Sequence, residues 1–305
     1  MFTGLKRSAL NLVRAMGYEI RKIPQPEDTD VAPPVQAETV DATVPPIPDH
    51  ELYLKLYGID TFERRPFLNI GAGSFHHPAW RNVDFSTEAY EADVTGNVDI
   101  PHDLSEMKPL PIEDESIEAV FTSHTVEHIQ DQHDAFLFRD VFRVLKPGGY
   151  FRITCPDIEL YFRAYKRGDR DFFPSYGDWY IDEPIEQIFL REIATQISTA
   201  NNDGLPIEKV SAKEVRETFD RLPLEDALNS FTRRIEYKRW YKTAPGNHVN
   251  WWTYEKMFRF LQAANFTRCY RSGKGQSECP VMRRVPLFDS SAWPLSLYVE
   301  AQKTT

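Results

Sequence analysis

Two glycines, Gly71 and Gly73, follow the apolar run Phe67–Ile70, and an aspartate, Asp84, stands thirteen positions after the first of them. A glycine turn at the carboxyl end of a first strand lets backbone approach a ligand closely, and in open parallel sheets ligands bind outside the strand carboxyl ends. Asp84 ends a second apolar run, where a carboxylate accepts both hydroxyl hydrogens of a ribose. Asp103, in "PHDL", stands after a third run, where it would accept from an adenine amino group. Each aspartate also suits the ordinary role of a turn or helix cap. The dinucleotide fingerprint Gly-x-Gly-x-x-Gly needs glycine at position 76, where His76 stands, and an acidic residue about twenty positions on. "SFHHPAW" leaves room for little more than one helical turn, which counts against a nicotinamide dinucleotide.

A second cluster is "HTVEH", residues 124–128, which matches the His-x-x-Glu-His pattern of inverted zinc peptidases. On a helix His124 and His128 would share a face, as two metal ligands must. The preceding "AVFTS" reads as strand, however, so no metal is expected here.

The elements that must position these residues follow from periodicity. Between about 51 and 157 short apolar runs alternate with helical stretches, the pattern of a parallel sheet with crossovers. "PFLNI", "RNVDF", "NVDI", "IEAVFTS" and "YFRITC" read as strands one to five, and "DAFLFRDVFRVL" as a helix ending at "KPGG". There Pro147 cannot continue the helix, and Gly148 and Gly149 permit a left-handed turn into the fifth strand. Residues 158–247 break the rhythm with helical segments such as "IEQIFLREIATQIS" and "LEDALNSFTRRIEYKRWYK", predicting an inserted helical subdomain that covers the carboxyl side of the sheet. A helix, "TYEKMFRFLQAA", and strands "FTRCY" and "LSLYVEAQ" complete the body over 248–305. Ahead of it, residues 1–23 read as a basic amphipathic helix suited to an anionic membrane surface, and 24–50 as a Pro-rich acidic linker.

Forty-six acidic against thirty-six basic residues give a formal charge of −10, a field that repels nucleic acid. The three cysteines form no Cys-x-x-Cys, which suits a reducing compartment and argues against structural zinc. No run of eighteen apolar residues occurs, so a cytoplasmic protein is expected, with peripheral contact at the inner face of a membrane through the first helix.

"LNIGAGS", "NVDFS", "HDLSEMKPLPIEDESIEAVFTSHTVEHI" and "VFRVLKPGGYFRITCPD", in that order and at those spacings, resemble the class I S-adenosylmethionine-dependent methyltransferases. The likeness covers roughly residues 66–157 and is nearest to the methyltransferase type 11 group and its bacterial branch linked to polysaccharide and glycan clusters. "WWTYEKMFRFLQAANF" and "SLYVEAQK" look like that branch's end. The resemblance implies a Rossmann-like, doubly wound, mostly parallel α/β sheet with an antiparallel strand at its carboxyl terminus. It also implies S-adenosylmethionine as cofactor, with Gly71, Ala72 and Gly73 along its methionine part, Asp84 on the ribose, and Asp103 and Leu104 beside adenine. Ser123 and His124 would close the pocket. Asn69 stands where an acidic residue is often found, and Phe75 where many members have a third glycine; a catalytically silent cofactor-binding scaffold is the alternative these departures leave open.

Within such an enzyme a neutral histidine facing a hydroxyl acceptor would act as general base, an effect on the order of 10²–10⁴-fold. His124 is the first candidate and His248, in "NHVNWW", the second; Glu127 and His128 would orient the loop. The aromatic-rich "YFRAYKRGDRDFFPSYGDWY" suits stacking on sugar rings, and the basic "TRRIEYKRWYK" a phosphate-bearing or lipid-linked saccharide.

Overall fold

A computed structural model describes residues 49–85, 87, 96–173, 182–201, 203–289 and 295–304. The basic helix expected at 1–23 and nearly all of the linker lie outside the described residues, as does part of the aromatic stretch ending at Tyr180. The linker's last residues are helical: Asp49 begins α1 (Asp49–Tyr57) with acidic side chains in its first turn, where the helix dipole favours them.

Seven strands form one sheet in the order β3-β2-β1-β4-β5-β7-β6. They are β1 (Phe67–Ile70), β2 (Trp80–Asp84), β3 (Ile100–Pro101), β4 (Ile117–Ser123), β5 (Leu145–Pro156), β6 (Arg268–Ser272) and β7 (Ser296–Gln302). The first five pair in parallel, whereas β7 runs antiparallel to both β5 and β6. This is the Rossmann-like architecture expected, mostly parallel with the carboxyl-terminal strand β7 reversed between β5 and β6. Chain order reverses between β1 and β4, so connections leave the sheet in opposite directions there and open a crevice at the strand carboxyl ends.

All four residues of β1 are buried, as a central strand covered on both faces requires. Leu68 and Ile70 face the larger core with α2 (Asp131–Val144), which contributes Leu137, Phe138, Val141 and Val144 at helical spacing. Phe67 points the other way, into a second cluster with Tyr53, Trp80, Met282 and Phe288.

Two local expectations are corrected by long-range pairing. After α2 the chain enters β5 directly at Leu145, and Lys146–Gly149 form an irregularity inside the strand: Leu145 pairs with Ile117, but the next partner pair is Tyr150 with Ala119. Gly148 does take a left-handed φ of +85°, yet Gly149 does not, and a Cβ there would sit 2.9 Å from the carbonyl oxygen of Lys146. The glycines serve a bulge. Between 158 and 247 lie α3 (Ile158–Arg167), α4 (Ile185–Arg191), α5 (Ala212–Arg221) and α6 (Leu224–Thr232), but the two long helical runs are broken. "IEQIFLREIATQIS" stops at Arg191 before a 3-10 turn at Thr195–Ile197, and "LEDALNSFTRRIEYKRWYK" stops at Thr232 before the single turn Tyr237–Trp240. Phe162 and Tyr165 pack on Phe189 and Phe219, so these two aromatics build the segment's own core.

The antiparallel edge is tied to the parallel strands through Arg152 of β5, which is fully buried. Its guanidinium donates to Asp289 Oδ2 at 2.8 Å and to the carbonyl oxygens of Gln276 (2.8 Å) and Gly273 (2.9 Å), and lies 3.4 Å from Glu300 Oε2. Removing one partner strands buried carboxylates. Arg152→Leu is therefore expected to lower stability by about 3–5 kcal/mol, read as a shifted midpoint in urea unfolding.

Candidate active site

The crevice at the switch point opens to solvent and encloses about 470 Å³ counted to its mouth. Its floor is backbone. Gly71 has φ +68°, and a Cβ on it would lie 2.0 Å from Thr125 Oγ1, so only glycine fits both the conformation and the space. Its N–H donates to the Val83 carbonyl at 2.9 Å. Two residues on, Gly73 (φ +51°) donates its N–H to Asp84 Oδ2 at 3.1 Å, while the Phe85 N–H donates to Asp84 Oδ1 at 2.8 Å. Asp84 is 6% exposed, and burial pushes its carboxyl above the ordinary value, opposed by those N–H groups. Each oxygen keeps lone-pair capacity for a further donor, which is what a vicinal diol offers.

Asp103 caps the 3-10 turn Leu104–Glu106: its Oδ1 accepts from the Ser105 N–H at 2.9 Å and the Ser105 hydroxyl at 2.6 Å. It also borders the crevice beside Leu104, and its Oδ2 accepts from the Tyr241 hydroxyl at 3.2 Å. The cap and the lining role coexist. Tyr241 stacks on Tyr237 (5.2 Å, 24°) and faces Phe85 (6.5 Å, 27°), forming an aromatic wall. Sequence reasoning missed this wall and Thr125, reading "TRRIEYKRWYK" as a basic patch around three aromatics suited to a phosphate-bearing acceptor. The signal was present in the i, i+4 spacing of the two tyrosines, which share one helical face.

Asn69, Ala72, Gly73 and Ser123 do not line the crevice directly. Asn69 is buried within β1 and Ala72 is nearly so, while Gly73 acts through its bond to Asp84. His124 belongs to an adjoining polar cavity of about 590 Å³ that also takes in Tyr161, Arg191, Glu192, Thr195 and His248. His124 has φ +52°, and both ring nitrogens are engaged: Nδ1 donates to Glu127 Oε1 at 3.0 Å and Nε2 bonds Ser296 Oγ at 3.1 Å. Burial works against its charged form, but the Glu127 carboxylate outweighs this and raises its pKa. Glu127 is 1% exposed; burial disfavours its charge, yet His124, His128 and His248 together hold it down at about 2.

His248, 120 positions from His128 in the sequence, arrives because the Val249 and Asn250 N–H groups donate to the Glu127 carbonyl at 2.8 and 3.1 Å. Thr195 holds it from the insertion: the His248 N–H donates to Thr195 Oγ1 at 2.8 Å and its carbonyl accepts from the Thr195 N–H at 3.0 Å. Lys256 of α7 (Tyr254–Ala263) secures the same loop by donating to Asn250 Oδ1 (2.7 Å) and the Trp251 carbonyl (3.0 Å), under an ion pair with Asp131 at 2.7 Å. Burial, then neighbouring His128, lowers the His248 pKa to about 4.

The family described as Methyltransferase domain (Methyltransf_11) matches residues 71–153, the stretch from the glycine turn through β5. That stretch is similar to a methyltransferase domain. S-adenosylmethionine is the cofactor of this family, and a crevice with the Asp84 carboxylate in its wall is chemically compatible with an adenosine. No curated protein matches the chain. Among solved structures, an S-adenosylmethionine-dependent methyltransferase from Mesorhizobium loti is similar at 14% identity over 77% of this chain and 89% of its own, with a TM-score of 0.36. One from Archaeoglobus fulgidus is similar at 13% identity over 83% and 99%, with a TM-score of 0.36. The methyltransferase SibL in its apo form has 13% identity over 78% of this chain and a TM-score of 0.35, and the chain spans 50% of SibL's length. At such scores the strand order, and not these likenesses, defines the fold. No helix among the described residues is long and apolar enough to cross a membrane.

Gly71→Ala is expected to weaken binding of S-adenosylhomocysteine at least about tenfold in calorimetry and to cost about 1–3 kcal/mol of stability through its left-handed strain and the overlap with Thr125. Adding Thr125→Ala should recover part of the stability, because the overlap goes while the strain stays.

Proposed function

We propose that the chain transfers the methyl group of S-adenosylmethionine to a hydroxyl oxygen of a sugar, in a glycan precursor or lipid-linked saccharide. The observation that supports this reading best is the pairing of two cavities across one short segment, His124–His128: the crevice with Asp84 on one side and a polar cavity on the other. Thr125 and His128 line the first, and His124 lines the second. A cavity walled by Tyr161, Arg191, Glu192 and Thr195 suits a ligand rich in hydroxyls, since each wall residue but the ring of Tyr161 offers a polar partner.

In the transfer, an acceptor oxygen forms a bond to the methyl carbon as the carbon–sulfur bond breaks, and that electron pair stays on sulfur, leaving S-adenosylhomocysteine. Alignment of oxygen, carbon and sulfur carries much of such a displacement. The hydroxyl proton leaves toward the neutral imidazole of His248, which lines the polar cavity. His124, with both nitrogens engaged, positions Glu127 in this reading and does not act as the base.

The test combines binding and turnover. Asp84→Ala should weaken S-adenosylmethionine at least about tenfold, as loss of charge-assisted bonds to a ribose diol implies; unchanged affinity overturns the ribose assignment. Release of S-adenosylhomocysteine with monosaccharide or nucleotide-sugar acceptors, and none with amines of similar size, is the expected turnover. The reverse preference overturns the oxygen acceptor.

A further inference from the structure

Glu127, His128 and His248 each place one donor atom within 4.8 Å of the other two. His128 and Glu127 come from the 3-10 turn Val126–His128, and His248 from the loop ahead of α7, two backbone segments held together by the bonds of Val249 and Asn250 to the Glu127 carbonyl. Backbone oxygens orient both imidazoles. The Nδ1 of His128 lies 3.1 Å from the Asn247 carbonyl, and that of His248 lies 2.9 Å from the Glu192 carbonyl. A carbonyl only accepts, so the hydrogen sits on Nδ1 in each ring and the Nε2 lone pair is left as the available donor. Histidines that bind metals are oriented in this manner, with the second ring nitrogen bonded to a carbonyl or carboxylate.

The carboxylate supplies the independent observation. Glu127 is 1% exposed, its Oε1 accepts from His124, and its Oε2 is buried with no hydrogen-bond partner. A buried carboxylate oxygen left without a donor is costly unless something positively charged meets it. Oε1 lies 3.9 Å from His128 Nε2, within the roughly 3–4.2 Å that separates two donors bound at about 2.1 Å to one ion.

From this geometry we infer that Glu127, His128 and His248 form a binding site for one divalent transition-metal ion, with His124 holding the carboxylate from behind. The donor set of two imidazoles and one carboxylate, without thiolate, favours zinc, cobalt, iron or manganese over magnesium, which prefers an all-oxygen shell. Three protein donors leave coordination positions open. His128 also lines the cofactor crevice and His248 the polar cavity, so the ion lies between them. If the methyl-transfer reading holds, and this last step rests on it, the bound ion takes up the His248 lone pair and itself positions the acceptor oxygen, whose proton then passes to solvent.

The full chain, stripped of metal with a chelator and free of cofactor, is titrated with Zn²⁺ by calorimetry and with Co²⁺ by visible absorption. The expected result is one ion per chain, ligand-field bands for cobalt, and a rise in melting temperature with Zn²⁺. His248→Ala and Glu127→Gln should each weaken Zn²⁺ at least about tenfold and abolish that rise, whereas His76→Ala, at an exposed position, should match the wild type. No saturable binding by the wild type, or wild-type affinity in a cooperatively folded His248→Ala, overturns the site; this variant decides if Glu127→Gln does not fold. Because no cofactor is present, failure here leaves methyl transfer standing, and failure of S-adenosylmethionine to bind leaves the metal result intact.

Discussion

Gly71 and Thr125 compete for one volume, and the glycine's missing side chain resolves the competition. A Cβ at 71 would come within 2.0 Å of the threonine hydroxyl, so the turns after β1 and β4 can approach only because one of them is bare backbone. That approach sets the crevice floor. It directs the chain sideways so that the Gly73 N–H reaches Asp84 at the end of β2, and it places Thr125 and the histidine segment behind it at the crevice wall. A larger residue at 71 would separate the two strand ends, and both cavities would lose their common wall.

Two carboxylates at this switch point are buried in opposite electrostatic circumstances. Among the described residues Asp84 meets backbone N–H dipoles, which do not fully offset its desolvation, and its pKa rises. Glu127 is more deeply buried yet its pKa falls to about 2, because three imidazoles surround it. The first is arranged to receive further hydrogen-bond donors, as a nucleoside diol supplies. The second stands among groups that favour positive charge nearby. In a chain of net charge −10, the sign of each local environment is set by a few neighbours within several ångströms, and the distant surface charge is screened.

The segment between β5 and α7 supplies walls to both cavities. α3 begins directly after Pro156, at the same end of the sheet as the crevice, so the insertion has nowhere to pack but over the strand carboxyl ends. Tyr237 and Tyr241 come down on the crevice, and Arg191, Glu192 and Thr195 on the second cavity. The insertion has its own aromatic core around Phe189 and Phe219, which makes it a firm surface for holding His248. On the far side, Arg152 locks β5 to Asp289 ahead of β7 and to Glu300 within it.

Local pattern alone determined a good deal. Short apolar runs alternating with helical stretches identified β1, β2, β4 and β5, and the short interval between Gly71 and Asp84 pointed away from a dinucleotide, because chain length and backbone conformation are properties of neighbours in sequence. The break in the long helices near residues 192 and 233, the bulge at Lys146–Gly149 and the exchange of partners at the histidines were decided only in three dimensions. "HTVEH" suggested pairing His124 with His128, but a strand-to-turn junction with φ +52° at His124 sends that ring to Ser296 and Glu127. His248 takes the place beside His128 with ring centroids 4.9 Å apart. Nothing in either local segment encodes that meeting: it depends on backbone hydrogen bonds from Val249 and Asn250 to Glu127, and these exist only once the sheet has formed and the insertion has closed over it.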